Sequence, residues 1–263
     1  EKGLIPDPFY RDNELDALKL MENDFAYETT IVISEEDRKA DRLFLHFDGI
    51  DTIADVYLNG EKIGSADNMN RVWEYDITDL VAGDAADTVY QVKVVLHSPT
   101  KFIAEEEAKC PVGAASDAMP GFPHIRKAAC MYGWDWGPRL VTSGIWRPVY
   151  LEGWSGARIS DVFYRQQEVT ARRARVEVEV EIASVRDLAE AVVTVASPGE
   201  GIEASVTAPL RSGINKVTVP LDIASPKLWW TRELGEPHLY EFRASVAAGD
   251  ASDSRTTRIG LRS

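Results

Sequence analysis

A short segment with two tryptophans around one carboxylate is the strongest candidate for chemistry in this sequence. Trp134, Asp135 and Trp136 are consecutive, a glycine lies on each side of them, and Pro138 follows. A flat indole ring stacks on the apolar face of a pyranose, and a carboxylate accepts paired hydrogen bonds from neighbouring hydroxyls. These three residues are therefore our candidate ligand-binding residues, and a hexose is the ligand that suits them.

A purely structural interpretation of the same segment is also open. Tryptophans are usually well buried, so a tryptophan cluster in a β-rich chain most often packs in a core. The flanking glycines and Pro138 favour the binding interpretation, because they indicate irregular backbone at the end of an element, where binding residues are displayed. Packing is the weightier alternative for Trp136, and core packing is also what we expect of Trp146.

The charge balance narrows the classes of partner. The 263 residues include 29 basic and 43 acidic side chains, which gives a formal charge of −14. Such a chain repels phosphate backbones and anionic lipids, so we expect neither nucleic acid nor a membrane surface as a partner. No apolar run approaches the roughly 18 residues that a membrane span needs. A neutral ligand such as a carbohydrate meets no electrostatic penalty.

The cysteines, the histidines and the start of the chain give little further information about function. Cys110 and Cys130 flank a segment that a disulfide could close, but disulfide scaffolds normally use more cysteines, so we favour two reduced thiols. The four histidines are scattered, and the sequence predicts no metal site, no cofactor and no nucleophilic triad. Because the sequence opens at Glu1 without a basic and apolar leader, we expect a cytoplasmic protein whose true start can lie upstream.

Period-two alternation of apolar and polar residues predicts an all-β fold. Leu43, Leu45 and Phe47 point to one face of a strand, and the residues that alternate with them point to the other face. The Asn-Gly pair at 59–60 predicts a tight hairpin turn. Residues 13–23 and 102–109 are the only candidates for helices. The chain must therefore bury its core between sheets.

Two domains are expected from the length of the chain and from a change in its sequence pattern. Glycines surround Trp154, and beyond this junction about seven short alternating strands follow in roughly 105 residues, which is the outline of an immunoglobulin-like β-sandwich. We place the domains at residues 1–154 and 155–263.

Seven segments of the sequence carry a resemblance to a known family. They are residues 47–60, 68–71 and 142–149, then 5–10 and 133–138, and in the second domain 226–230 and 235–240. The first three, in this order, resemble the sugar-binding domain of glycoside hydrolase family 2, and the next two narrow the resemblance to the β-mannosidases of that family. The last two resemble the end of the family's immunoglobulin-like domain. The resemblance implies a jelly-roll (galactose-binding-like) β-sandwich followed by an immunoglobulin-like β-sandwich.

The resemblance also implies what lies outside this sequence. Members of the family hydrolyse glycosides with retention, using two glutamates on a (β/α)₈ barrel that follows these two domains. No alternation of strands and helices typical of such a barrel is present, and the acidic clusters at 12–14 and 105–107 are typical of solvated faces. We therefore expect an amino-terminal portion without catalytic residues, whose partners are a β-mannoside substrate and the catalytic barrel.

The resemblance assigns roles within the candidate site. Trp134 stacks on the sugar or shapes the pocket wall, and Asp135 accepts hydrogen bonds from hydroxyls away from the bond being cut. Three alternatives remain at this point: a free-standing carbohydrate-binding module, a structural pair of sandwiches, and a family 2 glycosidase for another sugar such as a β-galactoside, β-glucuronide or glucosaminide.

Overall fold

Antiparallel strands account for most of the secondary structure in the computed structural model, which describes residues 5–85, 88–112, 117–134 and 137–262. The contacts divide the chain into two compact units, Glu1–Gly153 and Trp154–Ser263. Ten strand pairings described within these sheets are antiparallel, so short turns suffice to connect consecutive strands that pair with each other. The all-β prediction is confirmed.

The first unit contains nine strands and four short α helices among its described residues. In chain order they are α1 (Asn13–Leu20), β1 (Phe25–Val32), α2 (Glu35–Lys39), β2 (Arg42–Phe47), β3 (Ile50–Asp51), β4 (Ala54–Leu58), β5 (Glu61–Ala66), β6 (Trp73–Asp76), α3 (Thr78–Val81), β7 (Val89–Leu96), α4 (Pro99–Lys109), β8 (Gly144–Ile145) and β9 (Val149–Trp154). Two 3₁₀ turns, Phe122–His124 and Ala129–Tyr132, follow α4.

Two sheets enclose the core of the first unit. One has the order β1-β7-β4-β5 and the other β6-β2-β9, while β3 and β8 form a separate pair. Leu45 on β2, Val56 on β4 and Val94 on β7 are buried in one cluster, so apolar side chains of both sheets meet. Along β4 and β7 every second side chain is buried, as apolar alternation in the sequence predicts, and this burial stabilises the sandwich.

The predicted hairpin joins β4 to β5. Asn59 and Gly60 have φ angles of 50° and 84°, the left-handed conformation that a two-residue type I′ turn requires. Asparagine and glycine tolerate this conformation better than other residues, which explains why the sequence signal is reliable here.

The second unit is a sandwich of seven strands within residues 154–262. They are β10 (Ala157–Val169), β11 (Arg173–Ser184), β12 (Leu188–Ser197), β13 (Ile202–Leu210), β14 (Gly213–Ala224), β15 (Tyr240–Ala248) and β16 (Ala251–Ile259). The sheets β10-β11-β14 and β13-β12-β15-β16 share one apolar cluster. This architecture confirms the immunoglobulin-like prediction.

The helices are short, and two of the four are not predicted by periodicity. One of these two, α3, contributes Val81 to the core of the first sandwich. α1 and α4 fall where the sequence predicts helices, whereas α2 and α3 span only five and four residues, too few for a helical period. The Ser34 hydroxyl accepts the Asp37 amide at 3.0 Å and caps α2. In the part of the chain that the structure describes, no helix is both long and apolar enough to cross a membrane.

Two isoleucines on neighbouring strands of the second unit test how far its stability rests on core burial. Ile182 on β11 is fully buried, whereas Ile214 on β14 is 62% exposed. We expect Ile182→Ala to lower the free energy of unfolding by about 2–5 kcal/mol, because it removes buried methyl groups and leaves a cavity. Ile214→Ala should change it by less than about 0.5 kcal/mol. Urea denaturation measures both; equal losses would contradict the assigned sandwich core.

Candidate functional site

A small second core holds the segment that leads to Trp134. Ile103 of α4, Ile125, Tyr132 and Val141 form a buried cluster, against which Leu18 of α1 and Met21, the residue after α1, pack. Tyr132, the last residue of the second 3₁₀ turn, is fully buried in it. The ring of Tyr132 therefore anchors the chain two residues before Trp134, on a base made of two helices and a loop.

Gly133 turns the chain outward directly after this anchor. Its φ angle is 105°, a conformation that side chains rarely adopt. A Cβ atom at this position would lie 2.6 Å from the carbonyl oxygen of Asp117, so no other residue fits without movement. The amide of Met119 donates to the carbonyl oxygen of Tyr132 at 2.9 Å. This hydrogen bond joins the same two loop segments, the one around Asp117 and the one around Gly133.

Trp134 is displayed to solvent beyond this turn. Its side chain is 66% exposed, and its carbonyl oxygen accepts the amide of Gly137 at 2.7 Å. Asp135 and Trp136, the other two predicted site residues, lie outside the described residues. On the far side, the Arg139 amide donates to Glu14 of α1 at 3.1 Å and the Arg139 guanidinium donates to the Asp117 carbonyl at 3.1 Å. Both ends of the segment are thus fixed.

A buried ion pair fastens the segment to the sandwich. The ammonium group of Lys127 donates to the carboxylate of Asp51, and their side chains are 0% and 4% exposed. Burial lowers the pKa of Lys127, an effect that the hydrogen bond and the charge of Asp51 partly oppose. The Ser143 hydroxyl donates to the Asp51 carbonyl oxygen at 3.0 Å, and Asp51 pairs with Gly144 in the β3–β8 pair.

A second attachment runs through Met69. Its amide donates to the Arg126 carbonyl at 3.0 Å, and its own carbonyl oxygen accepts the indole N–H of Trp146 at 3.1 Å. Trp146 was expected to pack in a core, and this prediction is wrong, because its side chain is 45% exposed. The guanidinium of Arg147 lies 4.1 Å from its ring centroid, so the indole is covered by a cation instead of by apolar side chains.

The structure also shows the surroundings of the acidic run on α4 and of the two cysteines. Glu107 accepts the Val112 amide at 3.1 Å and lies 3.2 Å from His124, and Glu106 pairs with Lys109, so this acidic run has structural contacts. Cys110 and Cys130 are separate, exposed thiols. The role of Lys127 and Asp51 was missed, since nothing local in the sequence indicates that two residues 76 positions apart form an ion pair.

Family models match both units. Residues 1–147 match the family described as glycosyl hydrolase 2 galactose-binding domain-like, and residues 157–262 match glycosyl hydrolases family 2. The chain therefore belongs to glycosyl hydrolase family 2.

Several β-mannosidases are similar to this chain. β-Mannosidase B of Thermothelomyces thermophilus is 34% identical over 261 residues, covering 99% of this chain and 30% of that protein. β-Mannosidase B of Aspergillus flavus is 32% identical, with 98% and 30% covered. The crystal structure of β-D-mannosidase from Dictyoglomus thermophilum superposes with a TM-score of 0.88 at 33% identity, over 99% of this chain and 32% of that one. The chain thus spans about a third or less of each relative.

Substitutions at two glycines of the first unit distinguish the free-energy cost of backbone strain from the cost of a steric clash. Gly133 and Gly83 both have positive φ angles, but only at Gly133 would a Cβ atom meet a neighbour. Gly83→Ala should lower the free energy of unfolding by about 1–2 kcal/mol through strain alone. Gly133→Ala should cost about 2–5 kcal/mol, because the loop at Asp117 must also move. Denaturation followed by tryptophan fluorescence checks the difference, and equal costs would refute the close packing of the turn.

A double-mutant cycle tests the buried ion pair. Lys127→Met or Asp51→Asn alone should cost about 3–5 kcal/mol, because each leaves the partner's polar group buried and poorly matched. The double variant should lose less than the sum, with a coupling free energy of about 2–3 kcal/mol.

The matched control for this cycle is the exposed cross-strand pair Glu28 and Lys93, whose charged atoms lie 3.0 Å apart. Its coupling should stay below about 1 kcal/mol, because solvent screens both charges. Additive effects of Lys127 and Asp51 would show that their contact does not fasten the segment.

Proposed function

We propose that the chain is the amino-terminal, non-catalytic portion of a β-mannosidase that removes terminal β-D-mannosyl residues with retention. The observation that carries the proposal is the exposure of Trp134, which is 66% accessible although Tyr132 before it is buried and Arg139 after it is bonded to Glu14. An exposed aromatic ring on a fixed base offers a stacking surface without an ordering cost. The β-mannosidase relatives, which extend over about three times this length, support the choice of sugar.

The chemistry of bond cleavage is assigned to a catalytic domain outside this sequence. A retaining glycosidase needs two carboxyl groups about 5 Å apart on either side of the scissile bond. The described residues form antiparallel sandwiches, and within them we identify no (β/α)₈ barrel. We therefore propose that the 263 residues shape one wall of the sugar pocket and do not hydrolyse glycosides by themselves.

Within this wall, Trp134 is proposed to stack on the sugar or to bound the pocket, Asp135 to accept hydrogen bonds from hydroxyls, and Trp136 to contact the ligand beside them. A hydrogen bond to a charged group contributes about 1.5–3 kcal/mol. Contacts remote from the reacting carbon still accelerate cleavage if they tighten as the ring distorts toward the oxocarbenium-like transition state. The role of Asp135 rests on the family motif, since this residue is outside the described part of the chain.

Kinetics of the chain joined to the catalytic domain of a β-mannosidase test these roles. Asp135→Ala should lower kcat/KM for an aryl β-mannoside by roughly 10- to 100-fold, which corresponds to the loss of one charged hydrogen bond. Trp134→Ala should also lower it, whereas Trp134→Phe should retain most of the activity because a stacking face remains.

The control is Glu105→Gln, which removes one carboxylate from an exposed position of α4 and should leave kcat/KM unchanged. Circular dichroism must show that each variant is folded. Wild-type kinetics for both Asp135→Ala and Trp134→Ala would refute the proposed wall.

Assays of the 263-residue chain alone separate the proposal from a free-standing carbohydrate-binding module. We expect no hydrolysis of the aryl β-mannoside, and calorimetry should detect at most weak binding of mannose, because one wall offers a sugar only one face. Tight binding would favour the module, and turnover would show that catalytic residues lie within these two units. Structural likeness to the exo-chitosanase of Amycolatopsis orientalis, at 19% identity, concerns the fold alone.

A further inference from the structure

A histidine and two glutamates project from one face of the sheet β6-β2-β9. His46 lies on the central strand β2, Glu74 on β6 and Glu152 on β9. His46 and Glu74 are direct partners in the register of β2 and β6. Leu45 and Tyr75, their neighbours along the strands, are buried in the sandwich core, so the three polar side chains lie on the opposite face.

The donor atoms of these side chains converge. The Nε2 atom of His46 lies 3.0 Å from Glu74 Oε1 and 3.9 Å from Glu152 Oε2. One donor atom from each residue lies within 4.8 Å of the other two. A tetrahedral ion with bonds of about 2.0–2.2 Å places its ligands roughly 3.3–3.6 Å apart. Small side-chain rotations therefore suffice to bring all three atoms to one ion.

The other ring nitrogen of His46 has the surroundings of a metal-bound histidine. His46 is 7% exposed, and its Nδ1 atom is buried without a hydrogen bond of good geometry in the described structure. The nearest carboxylate oxygen, Oδ1 of Asp48, lies 3.4 Å away and accepts the Tyr150 hydroxyl at 3.3 Å. The Tyr150 ring stacks on the imidazole at 4.5 Å and fixes its plane. Ligating histidines donate their second N–H to just such a carboxylate.

We propose that His46, Glu74 and Glu152 form a binding site for a divalent transition-metal ion of the zinc type, with Asp48 orienting the histidine. Two carboxylates neutralise the charge of the ion, and the imidazole favours zinc-type ions over Mg²⁺ and Ca²⁺, which take oxygen ligands. Each of the three ligands comes from a different strand, so the ion cross-links the whole sheet β6-β2-β9. None of these four residues belongs to the proposed sugar-binding residues.

His97 provides a contrast within the same unit. Its two ring nitrogens lie 3.1 Å from Asp24 and 3.3 Å from Asp55, so each nitrogen faces its own carboxylate. Two carboxylates on opposite edges of a ring cannot bind one ion together with a single nitrogen. His97 is also 38% exposed, and Asp55 already pairs with Lys62 at 2.7 Å. It is therefore a matched histidine control without the proposed geometry.

Calorimetric titration with Zn²⁺ tests the site in the 263-residue chain without an affinity tag. Cys110 and Cys130 are exposed thiols and are first replaced by serine, so that they cannot bind the ion. We expect one Zn²⁺ per chain, and a higher thermal midpoint in its presence because the ion binds the folded state. His46→Gln should weaken binding by more than about 100-fold and Asp48→Asn by about 10- to 100-fold.

The control variants distinguish a specific metal site from non-specific binding of Zn²⁺ to an acidic surface. Glu74→Gln and Glu152→Gln should each weaken Zn²⁺ binding, whereas His97→Gln should leave the affinity unchanged. Mg²⁺ and Ca²⁺ should not compete at equal concentration. Circular dichroism verifies that the variants fold. No Zn²⁺ binding by the parent chain, unchanged binding by His46→Gln, or an equal loss in His97→Gln would each overturn the proposal.

Discussion

The buried ion pair between Lys127 and Asp51 is the constraint on which the display of Trp134 depends. Two opposite charges withdrawn from water are tolerated only when they meet, so this contact fixes the loop after α4 to the strand pair β3–β8. From that fixed point, Tyr132 descends into the small core and Gly133 directs the next residue outward. A large indole is thereby held in solvent without the freedom of an ordinary surface loop.

In the proposed β-mannosidase, this arrangement gives the first sandwich a role in holding the sugar. Cleavage of a terminal sugar requires the pocket to grip one ring firmly while that ring distorts, and part of the grip comes from contacts far from the reacting carbon. A wall built on a sandwich is rigid, because its base rests on packed apolar side chains. In the proposed β-mannosidase, the chemistry and the grip are thus divided between separate domains, with Trp134 and Asp135 on this chain's side.

Local sequence patterns predicted most of the fold and little of what supports the site. The apolar alternation around Leu45 and the Asn-Gly turn at 59–60 depend on residues that are close together in the sequence. Both features could therefore be predicted, and the structure confirms them. The pairing of Lys127 with Asp51 and the cluster around His46 join residues far apart in the chain, which no local pattern encodes. Trp146 was misjudged for the same reason, because its exposure depends on how distant strands meet. The roles of Trp134, Asp135 and Trp136 remain predictions.

Oxidative footprinting by hydroxyl radicals tests most directly whether this chain supplies one wall of a sugar pocket. The oxidation rate of Trp134 would be measured by mass spectrometry in the 263-residue chain, in the same chain joined to a β-mannosidase catalytic domain, and in that protein with a mannose-configured inhibitor. We predict rapid oxidation in the chain alone, slower oxidation once the catalytic domain faces it, and the slowest with the inhibitor bound. Equal rates in all three states would contradict the account.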